Sequence, residues 1–300
     1  SHLKLRMFYK DKVGQFINIT SESMLARARP FYKNAGVELL APIHCDLFKQ
    51  ERYLLSECEM SIEIHRNENK FLLISDGTEY KIVVEDLRWY VWKVKPQDSL
   101  TMAIENLLQK QDTVKYPVRR IKMATRHLAP NSQTIIENSI FTGQLPRRVA
   151  IFMVDSEAFN GSYVKNPFKF EHCNVAEIAL KYGDVYVPRY PLRCDWNDYR
   201  YSFPFMYLYE GCDILKSDKG IDISYEEFRN GYTIFLFDLT PDSVDAGAMQ
   251  LIKEGDLSLY MQLKQPLSTF PQGVEMIIYG EFDNLISIDR NRTPFFDYSI

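Results

Sequence analysis

The sequence lacks most of the motifs that catalytic and ligand-binding sites use. Its five histidines form no His-x-His or His-Glu-x-x-His pattern of metal ligands. The Gly-rich loops that bind phosphate groups are missing, and so is the Gly-x-Ser-x-Gly elbow of serine hydrolases. We therefore predict no enzyme activity, no catalytic residue, no metal and no cofactor. A pair of catalytic carboxylates is defined by the distance between them, which the sequence does not give. A hydrolase therefore remains as a further alternative.

Paired cysteines, long apolar runs and a basic charge are missing as well. The five cysteines are scattered and odd in number, which is untypical of a secreted disulfide framework and favours a reducing compartment. No run approaches the roughly 18 apolar residues of a membrane span, and the start at Ser1 has no signal-peptide core. With a net charge of -4, specific binding to nucleic acid is not expected. We expect an intracellular product without a membrane span, and the missing initiator Met indicates a fragment or a processed chain.

Aromatic residues and alternating patterns are what the sequence does contain. Aromatic residues make up 14% of the chain, and they fit pleated, half-buried surfaces. Residues Leu257 to Leu263 alternate apolar and polar side chains, as a strand with one buried face does. Further strands are predicted at Met60–Ile64, Tyr80–Val94, Tyr116–His127, Arg147–Val154, Val175–Val187, Tyr232–Leu239 and Met276–Ile288. The pattern predicts an all-β protein.

Only two helices are predicted. One begins after Asp98 or Ser99 and ends near Lys110, and the other is a short helix with the capping box Ser224-Tyr-Glu-Glu227. The polar stretch before Pro117 indicates a domain junction. We predict a first domain at residues 1–112 and a second at residues 113–300. The segment Tyr232–Phe237 is apolar on both faces, so we expect a central strand or one covered by a neighbouring domain.

Two aromatic-rich segments are candidates for contact with other subunits. The first, Phe159 to Phe170, mixes turn residues with aromatic residues, and the second extends from Tyr199 to Tyr209. Large aromatic side chains anchor interfaces at low entropic cost, but they can equally pack on their own domain, and both alternatives stay open. The candidate interface residues are Phe159, Tyr163, Phe168, Phe170, Tyr201, Phe203 and Tyr207.

Six segments in the same order along the chain resemble one family. They are Leu40–Leu55, Tyr116-Pro-Val-Arg-Arg120, Gly143-Gln-Leu-Pro-Arg-Arg148, Phe159-Asn-Gly-Ser-Tyr-Val-Lys-Asn-Pro-Phe-Lys-Phe170, Asn230–Asp242 and Tyr279–Arg290. Together they closely resemble the major capsid proteins of Polinton/Maverick elements and the related adintoviruses. The resemblance extends over essentially the whole chain, and its motifs are long and specific.

The resemblance implies a double jelly roll, in which two sandwiches stand side by side and three copies form a hexon-like capsomer. Family members have a long additional segment before the part that matches Ser1 to Lys10. We therefore expect a complete second jelly roll and a first jelly roll without its N-terminal strands.

The implied function is that of a structural capsid protein of a virus or transposon. Its expected partners are further copies of itself, as a homotrimer and then a capsid lattice, and a minor capsid or penton protein. The expected location is the virion if the element is active, and otherwise the cytoplasm or nucleus. The alternative is a domesticated jelly roll that binds a glycan or a protein ligand without assembling a capsid.

Overall fold

The computed structural model describes residues 40–50, 52–75, 79–110, 113–212, 214, 221, 223–240 and 254–297. Strands dominate this part of the chain, and its helices are few and mostly short. The strands are β1 (Val114–Leu128), β2 (Thr134–Phe141), β3 (Arg148–Asp155), β4 (Val175–Tyr182), β5 (Val185–Arg193), β6 (Phe235–Asp238), β7 (Leu257–Leu263), β8 (Val274–Ile288) and β9 (Pro294–Phe296). The helices are a 3-10 turn at Asp46–Lys49, then α1 (Asn69–Leu72), α2 (Asp98–Gln109), α3 (Ser156–Asn160), α4 (Ser202–Gly211) and α5 (Tyr225–Arg229).

The strands form two antiparallel sheets whose order is that of a jelly roll. One sheet has the order β1-β8-β3-β6, with β9 added beside β8, and the other has the order β2-β7-β4-β5. The chain crosses repeatedly between the two sheets, so that strands distant in sequence become neighbours, as in the double-sheet Greek-key arrangement. The predicted all-β class and the complete jelly roll after Tyr116 are confirmed.

Burial alternates from one residue to the next along these segments, which explains why they form strands. In β7 the side chains of Leu257, Leu259 and Met261 are fully buried, and the intervening residues are half-buried. Each sheet therefore presents one apolar face to the core, and burying a side chain of this size stabilises the fold by about 1.5–3 kcal/mol. Across the core, the rings of Phe141 and Phe282 meet edge to face at 5.4 Å.

Both predicted helices are confirmed. Helix α2 begins at Asp98, and α5 has the full capping box, in which Ser224 and Glu227 each accept the other's backbone N–H. Helix α4 was not predicted, because its aromatic residues show no apolar stripe and Pro204 interrupts the pattern. Proline is tolerated in the first turn of a helix, where the backbone N–H has no partner inside the helix.

Of the two alternatives for the Tyr232–Phe237 segment, the central strand is wrong among the described strands, and cover by a neighbouring domain stays a prediction. The regular part of the segment, β6, lies at the end of the first sheet, next to β3. It is nevertheless buried, because α4 packs against it: a Cβ atom added to Gly211 would lie 2.6 Å from the side chain of Leu236. A covering helix therefore buries the second face, which apolar pattern alone cannot distinguish from a neighbouring strand.

The strands predicted at Met60–Ile64 and Tyr80–Val94 are wrong for the described residues. Neither segment is in a strand, and their apolar side chains are largely exposed, with Trp92 at 96% and Leu87 at 70%. Strand propensity mainly measures packing against neighbouring strands, so a suitable composition does not form a strand without a partner. Whether residues 1–112 belong to a first jelly roll stays a prediction, and residues 1–39 of that segment lie outside the described part.

The chain divides into two compact units. One contains Asn67–Tyr80 and Ile121–Phe282, with most of the jelly-roll core, and the other contains Pro42–Arg66, Lys81–Arg120 and the chain after Asp283. In the second unit, the buried apolar side chains among the described residues include Leu108 and Tyr116. The predicted domain junction between residues 112 and 113 stays a prediction.

Candidate subunit-contact surface

The connections between β3 and β4 and between β5 and β6 contain the two aromatic-rich segments, and they meet in space. The backbone N–H of Phe170 donates to the carbonyl of Gly231 at 2.9 Å, and the N–H of Thr233 donates to the carbonyl of Phe170 at 3.3 Å. These bonds place Phe170 beside Tyr232 in a short parallel bridge. The two segments that the sequence singled out separately therefore belong to one loop assembly.

A stack of four rings joins the same two connections. His172 lies over Trp196 with centroids 4.5 Å apart, Trp196 over Tyr201 at 4.9 Å, and Tyr201 over Tyr225 at 4.2 Å. The ring planes deviate from parallel by only 13–20°. Such aromatic pairs contribute about 0.5–1.5 kcal/mol each beyond the area they bury. The stack therefore fixes the two connections to each other.

Hydrogen bonds satisfy the polar groups of the stacked rings. The indole Nε1 of Trp196 donates to the carbonyl of Val175 at 2.8 Å. The hydroxyl of Tyr201 donates to the carbonyl of Tyr225 at 3.2 Å, and the hydroxyl of Tyr225 donates to the carbonyl of Tyr199 at 2.6 Å. Each ring thus has its apolar faces in contact with another ring and its polar atom bonded to backbone, as buried polar groups require.

His172 is held in the neutral form. Burial, together with the positive charges of Arg229 and Lys169, lowers the pKa of its imidazole to about 4. The Nδ1 atom accepts the backbone N–H of Asn174 at 3.0 Å, which requires an unprotonated nitrogen. The geometry and the electrostatics therefore agree on a neutral ring above pH 4.

The structure places the seven candidate interface residues in different environments. Phe170 and Tyr201 are buried, Phe203 is 72% exposed, and the other four are half-buried. Several contact their own unit: the ring of Phe170 lies 4.6 Å from that of Phe152, and the hydroxyl of Tyr163 donates to the carbonyl of Tyr80. Their role as a subunit-contact set stays a prediction.

Two exposed residues of the segment Tyr199 to Tyr209, Tyr199 and Met206, were not among the seven candidates. Tyr199 is 54% exposed, and the guanidinium of Arg229 lies 4.5 Å from its ring centroid. Met206 is 46% exposed and follows Phe203 by three positions, so both lie on one side of α4. The i, i+3 spacing could have indicated this pair if α4 had been predicted. Phe203 and Met206 are hereafter called the apolar patch.

One arrangement resembles a hydrolytic triad in composition only. The hydroxyl of Ser156 donates to Oε1 of Glu275 at 3.1 Å, and Nδ1 of His127 lies 2.6 Å from the same oxygen. In a Ser-His-acid triad the imidazole uses its two nitrogens to connect serine and acid. Here serine and histidine share one carboxylate oxygen, so the geometry fits the fixing of strand ends better than nucleophilic catalysis.

The described residues contain neither a candidate metal site nor a helix that could span a membrane. No group of three or more His, Cys, Asp or Glu side chains in that part of the chain could hold a metal ion. None of its helices is long and apolar enough to cross a membrane.

Comparison with known proteins gives one sequence relative and several structural ones. No family model matches the chain. An uncharacterized protein of Caenorhabditis elegans is 27% identical in an alignment of 297 residues that covers 97% of this chain and 68% of the relative. The chain is thus similar to this nematode protein over almost its whole length.

The similar solved structures are viral. The match to the Sputnik virophage has a TM-score of 0.41 and 15% identity, and it covers 63% of this chain and 39% of the viral chain. For the PBCV-1 virus capsid the TM-score is 0.38 and the identity 6%, with 63% and 52% covered. For the mavirus major capsid protein they are 0.36 and 10%, with 63% and 42% covered. This chain therefore matches about half or less of each viral chain.

Proposed function

We propose that the chain is a structural subunit of a capsid of the Polinton/Maverick type, which assembles into trimeric capsomers and has no catalytic role. The observation that carries the proposal is the strand order, β1-β8-β3-β6 facing β2-β7-β4-β5, which makes the second half of the chain a jelly roll. The motif resemblance along the whole chain supports the family. A fold alone does not give a function, so the proposal combines the two.

A capsid subunit acts through its surfaces. A trimer with threefold symmetry needs a heterologous contact, in which one patch of each subunit meets a different patch of the next. A stable interface of this kind buries about 1,600 Å² in total and centres on a few aromatic or basic anchors. The apolar patch around Phe203 lies on the loop assembly and offers such anchors. The minor capsid or penton partner and the virion location belong to the same proposal.

The exposed segment Tyr80–Val94 fits a double jelly roll as well. It is rich in strand-forming residues, and Trp92, Leu87 and Tyr90 are each at least 70% exposed. A continuous exposed apolar segment of this kind is typical of a surface that another element covers. We propose that another element of the assembled subunit covers this segment.

The test is the mass and appearance of the purified protein. Light scattering coupled to size exclusion should give a trimer mass, and negative-stain imaging should show capsomers or shells. Both measurements should be repeated on a version extended to the length of the nematode relative. A protein that stays monomeric in both lengths at micromolar concentration contradicts the capsid proposal and favours the alternative of a glycan- or protein-binding jelly roll.

A further inference from the structure

The open edge of β1 is covered by an unusual segment. β1 is the last strand of its sheet, so one side of it has no strand partner among the described strands. Such an edge presents N–H and C=O groups that readily pair with a strand of another chain. Along the first half of β1, residues 46–50 and 52–55 of the same compact unit form hydrogen bonds to this side. These residues are hereafter called the strap.

Side chains of the strap bond to consecutive outward-facing positions of β1. Oδ2 of Asp46 accepts the backbone N–H of Arg119 at 2.9 Å. Nε2 of Gln50 donates to the carbonyl of Pro117, and the guanidinium of Arg52 donates to the carbonyl of Lys115 at 2.8 Å. Positions 115, 117 and 119 alternate along the strand, so their backbone groups point to the same side. The strap thus occupies the groups that a neighbouring strand would use.

Further contacts hold the strap in place. The side chain of Tyr116 is buried, and its hydroxyl donates to the carbonyl of Tyr53 at 3.1 Å and accepts the N–H of Leu55 at 3.2 Å. Just beyond the strap, the guanidinium of Arg292 donates to the carbonyl of Ser56 at 2.9 Å. The strap is not itself a strand, since it begins with the 3-10 turn Asp46–Lys49. It therefore covers the edge without offering a new edge of its own.

We propose that the strap prevents the β1 edge from pairing with the β1 edge of a second copy of this chain. A two-fold pairing brings identical edges together, and in the antiparallel register centred on Pro117, Lys115 of one copy faces Arg119 of the other. Lys115 and the facing Arg119 could form two backbone hydrogen bonds, because each residue has a backbone N–H that donates and a C=O that accepts. Pro117 lacks an N–H, and the basic side chains repel each other, so the sequence of β1 opposes the same pairing.

The inference goes beyond the proposed function, because it concerns the β1 edge and not the apolar patch proposed for subunit contact. Its test replaces the three contacts at once, in the variant Asp46→Ala/Gln50→Ala/Arg52→Ala of the full chain. The matched control, Glu59→Ala/Asn67→Ala/Lys93→Ala, removes an acid, an amide and a base at exposed positions outside the strap. Hydrogen exchange by NMR reports the Arg119 amide, and sedimentation velocity reports association.

The strap variant should show exchange of the Arg119 amide about tenfold faster than the control, since a charge-assisted hydrogen bond protects it. It should also associate beyond the wild-type mass, more strongly at high salt, where repulsion between basic side chains is screened. Adding Arg119→Pro should remove the extra association, because it deletes the edge donor at an outward position equivalent to Pro117. The single isosteric variant Asp46→Asn tests the amide protection without loss of volume.

Two outcomes would overturn the proposal. One is an Arg119 amide that exchanges at the control rate in both Asp46 variants. The other is extra association that persists after Arg119→Pro. Because each variant is compared with the wild-type mass, the result can be interpreted whether the wild type is a monomer or a trimer, so failure of the capsid proposal is distinguished from failure of this one.

Discussion

At the scale of single residues, the protonation of His172 in the ring stack makes the stability of the fold depend on pH. Its pKa is about 4 in the folded chain and 6.5 in a model peptide, so between these values the unfolded chain binds the proton more strongly. The folded state therefore has its full stability above pH 6.5 and loses it as the pH falls toward 4. At 1.36 kcal/mol per pKa unit, and with a reduction for partial exposure, we expect a loss of about 2 kcal/mol by pH 4.5.

Urea unfolding at pH 7.5 and pH 4.5 measures this loss. The matched variant is His172→Phe, which keeps a ring against Trp196 and removes the titrating group. Its stability should depend less on pH than that of the wild type, by about the same 2 kcal/mol. Equal pH dependence of the two proteins would show that His172 does not titrate between these pH values.

Arg148 and Asp238 form an ion pair inside the first sheet. Nε of Arg148 lies 3.8 Å from Oδ2 of Asp238, both side chains are 11% exposed, and the two residues are register partners between β3 and β6. Removing one partner of a buried ion pair typically costs about 3–5 kcal/mol, and less where further neighbours compensate the remaining charge. Asp238→Asn keeps the shape and should cost somewhat less, about 2–3 kcal/mol.

A double-mutant cycle with Arg148→Met checks the coupling of this pair. The double variant should be more stable than the sum of the single effects predicts, because neither charge is left alone. The exposed pair of Arg193 and Glu177 serves as the control, since its Arg side chain is 81% exposed. Glu177→Gln should cost less than about 1 kcal/mol. Additive effects at Arg148 and Asp238 would mean that other neighbours compensate each charge.

At the scale of elements, the sequence predicts strands whose side chains alternate between apolar and polar, and helices whose ends have capping residues. The strand at Leu257–Leu263 was predictable because its alternation matches one buried face, and α5 because its capping box is complete. Helix α4 and the edge position of β6 were not predictable, since each depends on the other for burial. The same holds for Tyr80–Val94, whose composition is that of a strand but which pairs with no strand among the described residues.

Gly280 in β8 shows how closely the two sheets pack. A Cβ atom added there would lie 2.8 Å from the ring of Phe141 and 3.0 Å from that of Phe282. Both rings are buried and held by core neighbours, so Gly280→Ala should destabilise the fold by about 1–3 kcal/mol. Chemical denaturation measures the change. Phe141→Leu creates space at this point, so the double variant should lose less stability than the two single losses added together, and strict additivity would contradict the steric explanation.

At the scale of the whole molecule, alternation beyond Tyr116 was sufficient to predict a sandwich but not its strand order. Strand order depends on pairs such as β1 with β8, whose residues are far apart in sequence, and no local pattern encodes which strands become neighbours. The family resemblance supplied that information. The candidate surface was located only in part, because the ring stack at His172, Trp196 and Tyr201 has no periodic spacing in sequence.

Phe203 is the most exposed of the seven predicted contact residues. Its side chain is 72% exposed on α4, next to Met206, so a buried role within the chain does not explain it. An aromatic anchor at the centre of an interface typically contributes 2 kcal/mol or more. Phe203→Asp should therefore weaken trimer formation by about 30-fold or more, while unfolding stability changes by less than about 0.5 kcal/mol, as expected at an exposed site.

The matched control is Tyr190→Asp in β5. Tyr190 is 76% exposed and equally aromatic, but it lies outside the apolar patch. Sedimentation equilibrium of both variants and the wild type gives the trimer dissociation constants. Because the two substitutions introduce the same charge at similar exposure, a loss confined to Phe203→Asp places the contact on the loop assembly. Equal trimer formation by Phe203→Asp and wild type would exclude Phe203 from the interface, and an equal loss in both variants would attribute the effect to charge rather than to the patch.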